Sequence, residues 1–470
     1  GCIEGFDLPV VAQLEVQNRW NDGSVKWMLT SFVAPNSDDK DRELTVLATT
    51  DVPPDNSSAS RIATVTKGIC GDICIVTEKI VRLMPCLCDI DEKELPLEID
   101  DIREVITGSV RQVCVVTAHI QSKPFMTLQF RLTHWIAVGL LQVETRLRNT
   151  RRARHAGGLW DLGDPGSFHF GSLEIAIGSD DVPANAATKW KAERHQAIQT
   201  SSFEVFLRQI GSGGSAWNCS NHVTASGESS VTSRGYEVLS DDISFSGNRA
   251  EPVIGVHGDC ASLAVAVPEF WQQFPGSVAA AMGTLEVGLF PALPPLNYEL
   301  QGGEQKTKSF WISTGSNKSL PDELAWVYSP PRLQQSPESI AEANVFPWSQ
   351  SHASGSSTCL RSGTIHQSMS VSCAADLSLD TETSGSVRPG HDEGSRSGTD
   401  RATQRFAKYL CDATSGAFSL EARRESIDEY GWRNFGDVPA DHEQTHYAGS
   451  NTIVSHYKNQ FDMNYGGVLQ

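Results

Sequence analysis

The sequence predicts a mostly β body followed by the opening helices of an α-helical domain. Short runs in which apolar and polar residues alternate recur from about residue 14 to residue 330, between clusters of Gly, Pro, Asp and Ser. The segment 350–400 then contains no aromatic residue, and helical patterns follow only after it. Many short strands with little helix between them are typical of a sandwich or barrel.

The clearest strand pattern spans residues 124–135. Met126, Leu128, Phe130 and Leu132 fall on one face, with polar residues between them. Successive side chains of a strand point to opposite faces, so this run predicts a half-buried strand. Similar runs predict strands at 44–49, 73–83, 113–120, 261–267, 285–290 and 308–314.

Two connecting segments have recognisable sequence patterns. Asn21-Asp22-Gly23 is typical of a hairpin turn, and we expect the flanking Trp20 and Trp27 to pack in a core or between domains. The acidic segment 89–101 either closes a first small β domain or forms a solvated hairpin.

These patterns predict three regions. We place them at residues 1–70, 71–330 and 331–470, since the prolines near residue 330 end the β region. Within the last region we expect disorder across 350–400, where too little apolar surface is available to offset the ordering entropy. Helices are expected at 400–411 and 421–428, with Ser419 or nearby polar residues available as caps.

Composition limits the classes of partner. The formal net charge of -19 argues against nonspecific binding to nucleic acid or anionic membranes, and no run of eighteen apolar residues predicts a membrane span. Because the chain starts at Gly1 and stops at Gln470 in a run typical of a helix, we expect a fragment of a longer protein.

Arginines and cysteines give weaker signals. Five arginines lie within residues 146–154, where they bind an anionic ligand or pair with the chain's own acids. The eleven cysteines show no matched pair of C-x-x-C motifs, so the spacing predicts no structural zinc site. Three Asn-x-Ser triplets favour a secreted or extracytoplasmic location.

Five motifs occur together in order, at residues 19–27, 151–167, 269–275, 300–307 and 428–437. The last reads Asp-Glu-Tyr-Gly-Trp-Arg-Asn-Phe-Gly-Asp. In order and content they resemble the exo-rhamnogalacturonan lyase family (PcRGLX/YetA-like). The resemblance implies a RIFT-type β-barrel that is incomplete in 1–70, a central β-sandwich in 71–330 and the beginning of an α/α toroid in 331–470.

The resemblance also implies a lyase that cleaves an acidic, rhamnose-containing pectic glycan by β-elimination. Such a reaction needs a group that neutralises the uronate carboxylate, a base for the C5 proton and an acid for the leaving oxygen. The C-terminal residues from 427 onward, which we call the terminal block, supply all of these residue types. The candidate catalytic residues are Tyr430, Arg433, His442, His446, His456 and Tyr457.

Further residues are candidates for substrate binding. An arginine or amide holds a carboxylate, a tryptophan stacks on a sugar ring, and loop residues reach into a cleft. The candidates are Arg154, Asp164, His169, Trp432, Asn434 and Asn459. Turn formation by Asp164 and aromatic packing by Tyr430 and Trp432 are the structural alternatives.

No cofactor is firmly indicated, although a divalent cation such as calcium is one way to neutralise the uronate. The His442 and His446 pair is spaced i, i+4 but lacks the H-E-x-x-H pattern of zinc proteases. Two other functions stay open at this point: a glycoside hydrolase, which needs two suitably spaced carboxyl groups, and a noncatalytic carbohydrate-binding protein. In each case the expected partner is an acidic polysaccharide or oligosaccharide.

Overall fold

The computed structural model describes most of the first 331 residues and a short stretch after residue 400. The described residues are 2–4, 10–34, 45–47, 63–68, 71–77, 79–154, 162–202, 204–219, 222, 229–240, 243–258, 261–294, 296–315, 320–331, 405, 408, 415–416 and 419–435. The segment 350–400, which we predict to be disordered, lies outside them.

The chain divides into two compact units. The first comprises Gly1–Ser329 together with Leu410–Gln470, and the second is Pro330–Tyr409. Nearly all described residues belong to the first unit. None of the helices in the described part of the chain is long and apolar enough to cross a membrane.

Strands dominate the described residues. They are β1 (Cys2–Glu4), β2 (Val10–Arg19), β3 (Val25–Phe32), β4 (Thr45–Leu47), β5 (Thr64–Lys67), β6 (Ile73–Val76), β7 (Ile80–Cys88), β8 (Leu97–Ile106), β9 (Arg111–Ile120), β10 (Lys123–Trp135), β11 (Leu140–Asn149), β12 (Phe168–Phe170), β13 (Ser172–Gly178), β14 (Ala187–Lys191), β15 (Gln199–Ser201), β16 (Val205–Gln209), β17 (Tyr236–Ser240), β18 (Ile243–Gly247), β19 (Val253–His257), β20 (Ser262–Ala266), β21 (Gly276–Ala281), β22 (Thr284–Phe290), β23 (Tyr298–Leu300) and β24 (Gln305–Ser313). The α-helices are α1 (Leu320–Glu323), α2 (Leu420–Ile427) and α3 (Gly431–Asn434).

Two antiparallel sheets of nine strands each form the body. One has the order β15-β14-β19-β20-β24-β11-β10-β9-β8, and the other has the order β18-β17-β16-β21-β22-β13-β7-β6-β5. A shared core lies between them, to which the first sheet contributes Val143 and Phe310 and the second contributes Leu173, Ile175 and Val287. This arrangement confirms the predicted mostly β class. The toroid expected in 331–470 falls mainly outside the described residues.

The alternating pattern at 124–135 is confirmed by β10. Met126, Leu128, Phe130 and Leu132 are all buried, while the residues between them are half-buried or, at Thr133, buried. β10 pairs along its length with β11 and with β9.

Other strand predictions differ from the structure in detail. The run 73–83 holds two strands, β6 and the start of β7, which pair as a hairpin through Ile73 and Leu83. The acidic segment 89–101 starts as a solvated hairpin turn, one of its two expected forms: Cys88 and Glu94 form an antiparallel bridge, and the Asp89 amide donates to the Lys93 carbonyl at 2.9 Å. The chain then passes from β7 in one sheet to β8 in the other. The expected boundary near residue 70 falls between β5 and β6, which pair with each other; the domain division itself stays a prediction.

A separate four-stranded sheet, in the order β3-β2-β1-β4, contains the predicted hairpin. Gly23 has a φ of 85° in the turn, which favours glycine. The expectation that both tryptophans are packed is wrong, because Trp20 is 56% and Trp27 is 60% exposed. The Lys26 ammonium lies 4.3 Å from the centre of the Trp20 ring, so a cation covers part of this exposed surface instead of a core.

Lys308 in β24 anchors a loop from the inside of the body. Its ammonium donates hydrogen bonds to the carbonyls of Gln273, Pro275 and Leu289 at 2.9, 3.2 and 2.6 Å. Burial, with a smaller effect of the Lys306 charge, lowers the pKa of Lys308 to about 7. The three N–H groups of an ammonium match the three carbonyls, so this lysine fixes both ends of the 273–275 loop.

We predict that replacing Lys308 with methionine removes a pH dependence of stability. The folded pKa of about 7 lies below the 10.5 of an exposed lysine, so between these values the unfolded chain binds more protons. The contribution of Lys308 to the free energy of unfolding therefore rises with pH across that window.

Urea denaturation of both proteins at about pH 6 and about pH 10 measures this difference. The free energy of unfolding of the wild type minus that of Lys308→Met should increase with pH. Lys79→Met is the control, since the half-buried Lys79 also donates to a backbone carbonyl, that of Gly315. If the difference between the wild type and Lys308→Met is the same at both pH values, the prediction is contradicted.

Candidate functional site

The segment 419–435 is the described part of the predicted terminal block. The Ser419 hydroxyl caps α2 by accepting a hydrogen bond from the Ala422 amide at 3.1 Å, which confirms the predicted cap. The helix ends at Asp428, whose φ of 53° is left-handed. Gly431 at the start of α3 has a φ of 89°. A Cβ there would lie 3.2 Å from the Phe274 ring, so both conformation and space favour glycine.

Asp428 fastens the end of α2 to the segment that follows β16. Its carboxylate is fully buried; Oδ1 accepts a hydrogen bond from the Ser212 hydroxyl, and Oδ2 lies 2.6 Å from Nε2 of the buried His222. Burial by itself would lower the pKa of His222, but hydrogen bonds with Asp428 and Cys219 outweigh it and raise that pKa to about 9. The two buried groups thus compensate each other's charge.

A second polar contact holds the outer side of α2. Nη2 of Arg249 donates to both carboxylate oxygens of Glu425 at 2.6 and 2.8 Å, and the guanidinium lies 3.9 Å from the Trp271 ring centre. The Tyr430 hydroxyl donates to the same carboxylate at 3.0 Å. Burial, followed by the charge of Glu425, raises the pKa of Tyr430. Its hydroxyl group is therefore held as a neutral donor within the packing.

The backbone of α3 is bonded directly to the loop that Lys308 anchors. The amide of Gly431 donates to the Gln272 carbonyl, and that of Trp432 donates to the Phe274 carbonyl, each at 2.7 Å. Main-chain hydrogen bonds of this kind fix position independently of side-chain rotamers. The start of α3 is thus placed on the body by a rigid loop.

Trp432 and Arg433 make further contacts between α3 and the body. The Trp432 ring packs edge-on against Phe290 and Tyr298, at centroid distances of 5.6 and 5.5 Å. Lys306 donates to the Arg433 carbonyl at 2.8 Å. The half-buried Arg433 guanidinium lies 5.1 Å from the Trp432 ring centre, so a cation and an aromatic ring occur side by side at this surface.

The loop around Asp164 is built mainly by its own carboxylate. The buried Asp164 accepts the amide of Arg154 at 2.8 Å and that of Gly166 at 2.7 Å. Both contacts are to backbone groups, which supports a turn-forming role for Asp164. The Arg154 side chain itself is exposed, so it is available to a ligand.

Glu299 holds the next part of the same loop. Its Oε1 accepts the Gly163 amide and the Ser167 hydroxyl, both at 2.7 Å. His169 in β12 is the pairing partner of Glu299 in β23 and is exposed. The loop therefore presents an arginine and a histidine on a framework of buried carboxylates.

Asn149 joins this loop to the 300–307 motif. Its buried side-chain amide donates to the carbonyls of Gly166 and Leu300 at 2.9 and 3.0 Å. Gly302 lies so close to the backbone of Ala153 that a Cβ would come within 2.6 Å of its nitrogen. Four of the five motifs are therefore neighbours in space. We call the described parts of 151–167, 269–275, 300–307 and 428–435 the motif junction.

The structure brings together a part of the predicted site. Arg154, Asp164, His169, Tyr430, Trp432, Arg433 and Asn434 all lie in or beside the motif junction. Tyr430 and Asn434 are 4% and 2% exposed, whereas Arg433 and Trp432 are half-buried. His442, His446, His456, Tyr457 and Asn459 lie outside the described residues, and their roles stay predictions.

Sequence reasoning missed several residues that hold this region. Lys306, Arg249 and His222 bind partners that are 127, 176 and 206 positions away, so local patterns carry no trace of the contacts. The C-x-x-H spacing of Cys219 and His222 is the signal that could have drawn attention to this pair.

Comparison with known proteins gives only remote similarities. No family model and no curated protein matches the chain. A GH36 α-galactosidase from Geobacillus stearothermophilus matches at 8% identity and a TM-score of 0.31, covering 54% of this chain and 32% of that one. A glycoside hydrolase family 97 enzyme from Pseudoalteromonas sp. strain K8, in complex with acarbose, matches at 9% identity and a TM-score of 0.30, covering 54% and 34%.

A TPR-domain-containing protein from Parabacteroides distasonis matches at 10% identity and a TM-score of 0.29, covering 56% of this chain and 50% of that one. The chain thus spans half or less of the length of all three proteins. Two of them are carbohydrate-active enzymes, but at these TM-scores the likenesses carry no argument about this chain.

We predict that Tyr430→Phe loosens the docked segment. Losing the hydrogen bond to the Glu425 carboxylate should cost about 1 to 3 kcal/mol, and the amides of Gly431 and Trp432 should then exchange with solvent about tenfold faster or more. Hydrogen exchange followed by mass spectrometry measures this directly.

Tyr236→Phe is the matched control, because it removes another tyrosine–glutamate hydrogen bond, of 2.7 Å, in β17. It should leave exchange in 428–435 unchanged. Unaltered exchange of this segment in Tyr430→Phe would show that the Tyr430 hydroxyl does not hold it.

Proposed function

We propose that this chain is part of a polysaccharide lyase that cleaves an acidic, rhamnose-containing pectic glycan by β-elimination. The supporting observation is the motif junction: four of the five motifs on which the family resemblance rests lie next to one another, although they are far apart in sequence. Residues gathered in this way onto loops of a rigid scaffold are typical of a functional site.

Two arginines of the motif junction suit an acidic substrate. Arg433 is half-buried and Arg154 is exposed, whereas Lys306 is paired with Glu304 at 3.1 Å. A guanidinium binds a carboxylate through two parallel hydrogen bonds. We assign to Arg433 the neutralisation of the uronate carboxylate, which makes the C5 proton acidic enough to remove.

The packing of Trp432 supports the role assigned to Arg433. Its ring is held edge-on by Phe290 and Tyr298, so the neighbouring Arg433 extends from a fixed backbone. Stacking of a sugar ring on Trp432 stays a proposal, since the ring already contributes to packing. The same holds for Asn434, whose side chain is buried.

The proton-transfer groups are assigned less directly. Tyr430 is poorly placed as the general acid, because its hydroxyl is buried and donates to Glu425. His169 is exposed at the edge of the motif junction and is a candidate base. His442, His446, His456 and Tyr457 keep their predicted roles as base or acid, with a calcium-type cation as an alternative means of neutralising the uronate.

We predict that Arg433→Gln lowers kcat/KM on rhamnogalacturonan about 100- to 1,000-fold, as expected when one group that stabilises developing charge is lost. The assay follows the ultraviolet absorbance of the new double bond in the unsaturated uronate. Arg424→Gln is the matched control and should leave kcat/KM unchanged. Arg424 lies in the same segment and also contacts an aromatic ring, that of Phe435 at 5.5 Å.

The wild-type result separates the functional classes. New reducing ends without a rise in absorbance would indicate a hydrolase, and binding without turnover would indicate a noncatalytic carbohydrate-binding protein. A folded Arg433→Gln variant with unchanged kcat/KM would contradict the role assigned to Arg433.

A further inference from the structure

We propose that Cys219, His222 and Asp428 form a binding site for a zinc-type divalent cation, which fastens α2 to the sandwich. Asp428 belongs to the motif junction but has no role in the glycan chemistry proposed above, and the test of the metal site does not depend on catalytic activity. One thiol, one imidazole and one carboxylate converge here from two segments of the chain that are about two hundred residues apart.

The three ligand atoms lie near the separations that a shared metal ion needs. One ligand atom from each of the three residues lies within 4.8 Å of the other two. Zinc bonds of about 2.0 to 2.3 Å at tetrahedral angles separate ligand atoms by about 3.3 to 3.6 Å. Nε2 of His222 and Oδ2 of Asp428 are 2.6 Å apart around a shared proton, so replacing that proton with the cation moves them apart by only about 0.7 Å.

The donor set selects the class of metal. A thiolate and an imidazole favour zinc or a similar transition metal over calcium and magnesium, which prefer oxygen ligands. Cys219 and His222 are separated by two residues, and the Cys219 amide donates to the Ala216 carbonyl at 2.9 Å in a tight turn. Short Cys-to-His spacing of this kind brings two ligands to one ion.

A supporting shell already orients the ligands. The Ser212 hydroxyl donates to Oδ1 of Asp428, leaving Oδ2 for the metal, and the Gly214 amide donates to the Ser212 oxygen at 3.1 Å. The His222 ring rests edge-on against Phe274, with centroids 5.1 Å apart. Hydrogen bonds to the ligating carboxylate and a fixed imidazole plane are usual features of metal sites.

Charge and burial agree with a divalent ion. A thiolate and a carboxylate carry two negative charges, which a divalent cation cancels, so the buried cluster stays neutral overall. Without a metal, a thiol, an imidazolium and a carboxylate also sum to zero. Metal entry is therefore an exchange of two protons for one cation.

Asp428 and His222 are buried and Cys219 is half-buried, so the cation enters from the Cys219 side, where water takes the fourth position.

The test measures metal binding by the full chain. Protein stripped with a chelator should take up about one zinc ion per chain with a dissociation constant below about 1 µM. Cobalt in place of zinc should give the sulfur-to-cobalt charge-transfer absorption that reports a thiolate ligand. Zinc should also raise the midpoint of thermal unfolding, because it binds the folded state alone.

Variants assign the ligands. Cys219→Ser should abolish the charge-transfer band, whereas Cys74→Ser, which changes another half-buried cysteine, should keep it. Asp428→Asn preserves shape and removes the charge, and it should lose zinc binding as well. Ser212→Ala should weaken zinc binding about 10- to 100-fold through the supporting shell.

Two results would overturn the proposal. The first is a wild-type chain that takes up no zinc at micromolar concentration, which would show that His222 and Asp428 are held by protons alone. The second is a charge-transfer band that persists in a folded Cys219→Ser protein, which would place the metal on other cysteines. Circular dichroism of each variant establishes that it is folded before either result is read.

Discussion

The buried ammonium of Lys308 is the interaction on which the arrangement of the motif junction depends. It holds carbonyls on both sides of the 273–275 loop and a third on β22. That loop in turn receives the backbone of α3. A charged lysine is costly to bury, which lowers the pKa of Lys308 to about 7, and backbone carbonyls accept hydrogen bonds from its N–H groups. Removing the lysine would free the loop, and with it the surface on which Trp432 and Arg433 are displayed.

Much of the body could be predicted because its signals are local. The period-two pattern of β10, the hairpin turn at Gly23 and the cap at Ser419 each depend on a few neighbouring residues, and all three are confirmed. Trp20 and Trp27 were misjudged for a related reason. Hydrophobicity predicts burial only when a partner surface exists, and the sheet that carries them leaves these rings exposed among the described residues.

The candidate site was less predictable because its contacts are not local. Sequence reasoning singled out 428–437 and its companion motifs, and the structure places the described parts of four motifs next to one another. It could not foresee that Tyr430 and Asn434 face inward, since that follows from Arg249, Glu425 and the 269–275 loop. It tested the cysteines only for matched C-x-x-C motifs, and so passed over Cys219, whose neighbours in space are a histidine and an aspartate.

The distance in sequence between His222 and Asp428 has a consequence for biogenesis. A ribosome that has completed β24 has made every strand of both nine-stranded sheets, yet it must add more than a hundred residues before Asp428 emerges. During that interval Ser212, His222 and Trp271 lack the side chains of Asp428 and Tyr430 that they contact in the folded chain. Nascent chains in that state present the kind of surface that chaperones bind. Docking of the segment that contains Asp428 is therefore a late step in folding. Its rate does not depend on protein concentration, because both partners belong to one chain.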